Sequence, residues 1–258
     1  MSSSSFRTMR KATNRCPCTW KNRLFKFIPV RKDTGMPPSF GRALFFAIWN
    51  LLLYPAPAPA LPTQWEILQL EITPLRQSKI TSCGPAVLAM AYRYAYPAKN
   101  ISERDILTYA EKQGWYTETK FPYTSPVNMV KIVRHYATNI TSGQAASPQK
   151  GLDLLIQELR RGNPVIIDAL VRLEERQSGA HFVLVTGISI APGNPYAVLV
   201  TYIDPINGGK KSAPYYGEGG LWNAWRHNGD PGGAGWWLVI PRPVEVELPI
   251  RLGDYLAI

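Results

Sequence analysis

The sequence predicts an α+β fold, helical in its first half and built on an antiparallel sheet in its second. Three observations carry that prediction. Between residues 83 and 161, hydroxyl residues followed by proline or by an acid recur at the starts of apolar-periodic segments. From Pro164 onward, β-branched and aromatic runs alternate with Gly, Pro and Asn. The chain's 258 residues give room for one ordinary domain behind a leader.

Residues 63–72 alternate loosely and predict an entry strand or extended arm. A first helix is expected from Gly84 or Pro85 to a point before Pro97. Its apolar residues Val87, Leu88, Met90, Ala91 and Tyr94 run round most of the circumference, which suits a helix buried through a domain. Ser102-Glu103-Arg104-Asp105 reads as an N-cap with an acid at the third position, opening a helix that stops at Gly114. Ser125-Pro126 and Ser147-Pro148 repeat one device, a hydroxyl cap followed by proline at the first helical position. Their helices should run to about Tyr136 and Arg161. Strands are expected over residues 165–171, 182–188, 196–203 and 236–240, with a short helix at 221–226 before the last. No internal repeat is present.

The net charge of +11 first suggests a nucleic-acid or membrane-surface partner. Its distribution removes that reading for the folded part. Residues 1–60 hold ten basic residues and one acid, leaving 19 basic and 17 acidic residues for 61–258. Residues 1–60 read as a basic extension and secretory signal, with the folded domain at 61–258. Behind Arg42, residues 43–54 form an apolar stretch of 12. Ala58-Pro59-Ala60 follows as a cleavage site that would leave Leu61 first. Spanning a bilayer takes roughly 20 apolar residues, so an uncleaved anchor is the weaker alternative. Met36 begins a leader of ordinary length and is the expected true start. Cys16 and Cys18 precede it, and two thiols without further Cys or His make an incomplete metal site. A secreted or periplasmic protein is expected, with no metal and no cofactor.

With the leader set aside a single cysteine remains, Cys83, and it has no internal disulfide partner. It is either an inert core residue or a nucleophile. The helix expected directly after it would favour a thiolate through its aligned peptide dipoles. Gln77, six residues upstream, stands close enough in chain to offer an amide N–H to the same centre. His181 opens one apolar strand and Asp204 closes the next. In a hairpin turning symmetrically about Pro192-Gly193 these two would oppose each other directly, with side chains on one face. The carboxylate could then fix the imidazole tautomer, leaving the other ring nitrogen for the thiol.

The blocks Gln77 through Cys83-Gly84-Pro85, then residues 162–167, then 181–187, then Asp204-Pro205 resemble the papain-fold cysteine peptidases related to bacteriocin-processing (double-glycine leader) peptidases. The likeness spans roughly residues 70–240. It implies a papain-like α+β fold with an N-terminal helical half packed on a C-terminal antiparallel sheet. It also implies Cys83 as nucleophile, His181 as base, Asp204 as its orienter and Gln77 as oxyanion donor. The transporter modules of the bacteriocin exporters are absent from this sequence, so their substrate does not transfer with the fold.

The expected activity is therefore an exported thiol-dependent peptidase acting on a peptide or protein through a thioester. Alternatives are an amidase or transpeptidase on cell-wall or conjugated peptides, and a non-catalytic papain-fold binding module. No nucleic-acid partner is expected, and membrane contact only through an uncleaved leader. His135 and His227 have no partner pattern and are expected outside the site. Asp168, in an apolar strand, should bond to a neighbouring loop. The aromatic, glycine-rich segment from Tyr215 to Trp237 either lines a substrate groove or packs as a core cluster.

Overall fold

The structure is a computed structural model that describes residues 64–116, 123–175 and 178–243. The leader, the start at Met36 and both early cysteines lie outside the described residues. Within them the order is β1 (Glu66–Gln69), α1 (Cys83–Ala95), α2 (Glu103–Lys112), α3 (Pro126–Tyr136), β2 (Thr141–Gln144), α4 (Pro148–Arg160), β3 (Val165–Leu170), β4 (Ala180–Ile190), β5 (Val198–Asp204), β6 (Gly209–Pro214), α5 (Leu221–Arg226) and β7 (Trp236–Val239).

The helix starts form for the reasons their sequences suggest. Ser102 accepts from the Asp105 backbone N–H at 3.2 Å while the Asp105 carboxylate accepts from Ser102 N–H at 2.9 Å, closing a capping box. Ser125 and Ser147 each cap a helix whose first residue is proline, accepting from Asn128 N and Lys150 N. Gly162 ends the segment after α4 with φ of 76°, a conformation costly for residues with a Cβ. Helix α1 is buried on nearly every side, with Gly84 through Tyr92 and then Ala95 all inside.

The sheet order is β2-β7-β3-β4-β5-β6, every pairing antiparallel, with β1 added against β4. Strand β4 is long enough to serve two neighbours on one side. Residues 180–185 pair with β3, and residues 187–190 pair with β1 after β3 has ended. Two apolar clusters share the strands alternately. Ile166, Leu184 and Ile203 join α1, α2 and α3, whereas Val165, Ile167, Val183 and Val185 join α4 and α5. The sheet is thus a middle layer with helices on both faces.

This corrects the expected segregation of a helical half from a β half. Strand β1 is the entry strand expected over 63–72, but β2 interrupts the stretch expected to be helical, and α4 packs on the face opposite α1. Strands β2 and β6, Thr-Ser-Gly-Gln and Gly-Lys-Lys-Ser-Ala-Pro, give no apolar alternation. They are edge strands, where only one side is paired, and in β6 two lysines discourage further pairing.

The β4–β5 register also departs from the symmetric hairpin. Leu184 faces Ile203 and Val185 faces Tyr202, but Gly187 then faces Thr201, so Thr186 is an extra residue in β4. The turn itself is centred at Asn194, with Ile190 facing Val198, rather than between Pro192 and Gly193. The bulge decides the geometry of the site. Carried back unbulged, the Gly187–Thr201 register would put His181 and Asp204 on opposite faces. The extra residue restores them to one face, with Asp204 level with Val183 and two residues along from His181.

Glycine at 187 is required beside this bulge. A Cβ there would stand 2.2 Å from Gln69 Oε1 and 2.9 Å from the Leu68 carbonyl oxygen on β1. We expect Gly187→Ala to lower stability by about 1–3 kcal/mol, because the backbone contact cannot be relieved by a rotamer change. Thermal or urea unfolding of the variant checks this.

Candidate active site

Helix α1 brings Cys83 to its own first position, with Ser82 as the N-cap residue. The Ser82 side chain makes no capping bond. Its hydroxyl instead accepts from Lys79 N at 2.9 Å and donates to Glu103 Oε1 at 2.6 Å. The first backbone bond of the helix runs from Ala86 N to Ser82 O at 3.0 Å. The N–H groups of Cys83 and Gly84 therefore precede any intrahelical acceptor, and Pro85 contributes none. Gly84 permits close packing here: a Cβ would stand 2.2 Å from Thr124 Oγ1 and 2.7 Å from Met129 Sδ.

Glu103, only 6% exposed, organises the loop leading into Cys83. Its carboxylate accepts from Ser78 N at 2.9 and 3.0 Å, from Ser78 Oγ at 3.1 Å and from Ser82 Oγ. Sequence reasoning gave Glu103 no role, the acid it singled out in this segment being Asp105. Its partners lie 21 and 25 residues away, so no local pattern marks the role.

His181, at the start of β4, is 4% exposed. Its Nε2 lies 2.8 Å from Asp204 Oδ1 at the end of β5. The Cys83 thiol lies close enough to the same imidazole to raise its pKa, and with Nε2 engaged by Asp204, Nδ1 is the ring nitrogen left to face it. Asp204 also accepts from Ile206 N at 3.0 Å on Oδ1 and from Lys211 Nζ at 2.7 Å on Oδ2. Burial would raise the carboxyl's pKa, but hydrogen bonds from His181 and Lys211 prevail and hold it well below the usual carboxylate range. For His181, burial alone would lower the pKa. The bonds to Asp204 and Cys83, with their charges, outweigh it and push the imidazole up to about 9.

Gln77 is tied to the same neighbourhood through its backbone, Gln77 N donating to Pro205 O at 2.7 Å. Its side-chain Nε2 donates to Lys79 O and Ile80 O, both at 2.8 Å, and Oε1 is buried without a hydrogen-bond partner among the described residues. Both amide hydrogens are thus engaged by the loop it belongs to.

Asp168 is fully buried on β3, facing Phe182 and one register step from the Ala169–His181 pair. Its backbone oxygen accepts from Asn228 Nδ2 at 2.8 Å, the expected link to a neighbouring loop. Neither carboxyl oxygen has a hydrogen bond of normal geometry among the described residues. Burial, reinforced by the nearby Asp230 carboxylate, pushes Asp168 up to about 8.

The remaining candidates lie elsewhere. His135 stacks on Tyr109 with centroids 3.9 Å apart, and His227 Nδ1 meets Asn223 O at 2.9 Å at the end of α5. Tyr215 and Trp225 are fully buried, their polar tips donating to Pro148 O at 2.7 Å and Trp236 O at 2.6 Å. These two residues pack in the core, whereas Gly232 and Trp236 of the same segment line a groove with Pro126 and Val127. Among the described residues no group of three His, Cys, Asp or Glu side chains is arranged to hold a metal, and no helix is long and apolar enough to cross a membrane.

A family model for the Peptidase_C39 like family matches residues 69–230, from the end of β1 to beyond α5. The match covers more than half of the chain, and the protein belongs to that family. A comparison with curated proteins gives no match. Membership makes a peptidase of cysteine type the activity to weigh against this geometry.

Two outcomes follow from the site's supports. Glu103→Ala strands Ser78 N–H and the Ser82 hydroxyl in a buried position, and should cost about 1–3 kcal/mol. Hydrogen exchange should show residues 78–82 losing protection first. Asp168→Asn should have the opposite sign. A buried carboxyl raised to about 8 lowers stability progressively as pH rises from its unfolded value of about 3.9 through 8. The isosteric amide removes that proton linkage, so the melting temperature should rise at pH 7 and its decline between about pH 4 and 8 should flatten. Melting curves across that range decide it.

Proposed function

We propose that the chain is an exported cysteine peptidase of papain-like arrangement, in which Cys83, His181 and Asp204 act together on a peptide bond. The observation that carries this reading is the position of His181, held at 2.8 Å by Asp204 and in contact with the only thiol of the folded region. Against the effect of burial, Asp204 and Cys83 raise this imidazole to about 9, which makes it a strong proton acceptor for the thiol.

In the proposed reaction His181 takes the Sγ proton, and the thiolate attacks the peptide carbonyl carbon. The developing oxyanion lies toward the unpaired N–H groups at the start of α1, with Gln77 Nε2 as a further donor once it releases Lys79 O or Ile80 O. The C–N bond breaks as the imidazolium protonates the leaving amine, and Cys83 keeps the acyl group as a thioester. A water molecule, deprotonated by His181, then attacks that thioester; the carboxylic acid leaves and the thiol is regenerated. Asp204 holds the imidazole throughout and stays ionised. Export would follow from the apolar leader, with Leu61 as the new N-terminus.

The test is a peptide mixture incubated with the full chain and read by mass spectrometry. Cys83→Ala should abolish every cleavage while the circular dichroism spectrum stays unchanged, and His181→Ala should come close to that. Asp204→Asn should retain partial activity, reduced about 10- to 100-fold. Wild-type turnover should fall as pH rises through about 9, where the imidazolium is lost. Cleavage by Cys83→Ala at the wild-type rate would overturn the mechanism.

A further inference from the structure

We infer that Lys211 is a positioning residue for His181, acting through Asp204; the inference rests on the catalytic role proposed above for His181. Strands β4, β5 and β6 are adjacent, and each contributes one residue to a row across the sheet. Tyr202 faces Lys211 and Asp204 faces Gly209, so Lys211 and Asp204 sit two register steps apart on one face. That is also the face His181 regains through the bulge at Thr186. The carboxylate divides its oxygens between the neighbours: Oδ1 takes His181 Nε2 at 2.8 Å and Ile206 N at 3.0 Å, and Oδ2 takes Lys211 Nζ at 2.7 Å. Rotating the carboxylate about its stem would break one bond to a cation in order to improve the other.

A lysine on an edge strand ordinarily serves to discourage pairing with other chains. Lys210 fits that description, its Nζ lying 2.9 Å from the exposed Glu71 carboxylate. Lys211 does not. Its partner is a carboxylate only 5% exposed at the side chain, inside the hydrogen-bonded row that ends at the thiol. The arrangement has an electrostatic consequence with a definite sign. His181 is faced by Cys83 from α1, by Asp204 from β5 and by Asp168 from β3; Tyr202 lies near Asp204, and Glu174 near Tyr202. Of these groups and Lys211, only the lysine carries a fixed positive charge through neutral pH. It draws on the Asp204 charge and so restrains the rise of the imidazole's pKa, keeping the imidazolium acidic enough to release its proton to a leaving amine.

The deciding experiment compares full-length wild type with K211M, K211R and K211Q, following the His181 imidazole by NMR across pH and turnover on any cleaved peptide. K211M should move the His181 titration upward by about half a pH unit, the attraction lost being reduced by solvent at the half-exposed lysine. Its kcat should fall about 3- to 10-fold with KM nearly unchanged. K211R should restore both. K211Q keeps a donor for Oδ2 without the charge, so it should show the titration shift with a smaller loss of kcat, and it serves equally if K211M does not fold. Titrations that superimpose on wild type, or that move downward, overturn the inference even if the variants melt at lower temperature. Because Asp168 is present in every protein compared, differences between variants isolate the lysine. If no peptide is cleaved by wild type, the peptidase reading falls while the imidazole titration still decides the role of Lys211.

Discussion

One extra residue in one strand governs this molecule. Thr186 sits between two registers of the β4–β5 ladder, and only with it in place do His181 and Asp204 share a face. The bulge is held by local means. Thr186 O accepts from Leu70 N at 2.8 Å just beyond β1, and Gly187 leaves space that Gln69 and Leu68 occupy. Strand β1 is therefore more than an entry arm. By pairing with the second half of β4 it fixes the irregularity on which the polar row in the first half depends.

The other half of the site is held by a diverted cap. A serine at an N-cap usually bonds to its own helix, but Ser82 gives its hydroxyl to Glu103. The loop is pinned to α2 by a buried carboxylate, and the first amides of α1 remain unspent. The backbone bond from Gln77 to Pro205 ties the same loop to the turn after Asp204. Thiol loop and carboxylate turn are thus fixed to each other without passing through the imidazole between them, so the placement of thiol and carboxylate does not depend on the imidazole.

Much of this was legible in the sequence because it is encoded locally. Ser-Pro and Ser-x-x-Asp caps, the all-round apolar face of α1 and the β-branched runs name their elements from neighbours within a turn or two. Cys83, His181 and Asp204 were legible as residue types in a telling order. What was not legible is non-local. Strands β2 and β6 lack apolar alternation because each is an edge, and their pairing comes from partners far along the chain. Glu103 reads as an ordinary helix-start acid, since its partners are reached only after two elements fold together. The turn is centred at Asn194 rather than between Pro192 and Gly193, and the bulge takes back one residue of that shift, so a count about the expected turn gives direct opposition where the structure has a diagonal.

The placement of β7 bears on how the chain comes to be folded at all. It is the last strand described, yet it lies between β2 and β3, both made much earlier. A nascent chain that has already produced the thiol, imidazole and carboxylate still exposes the facing edges of β2 and β3 until residues 236–239 emerge. Such long-range closure slows assembly and leaves sticky edges open in the meantime. Completion of the sheet therefore waits until residues 236–239 have been made, after every residue of the polar row.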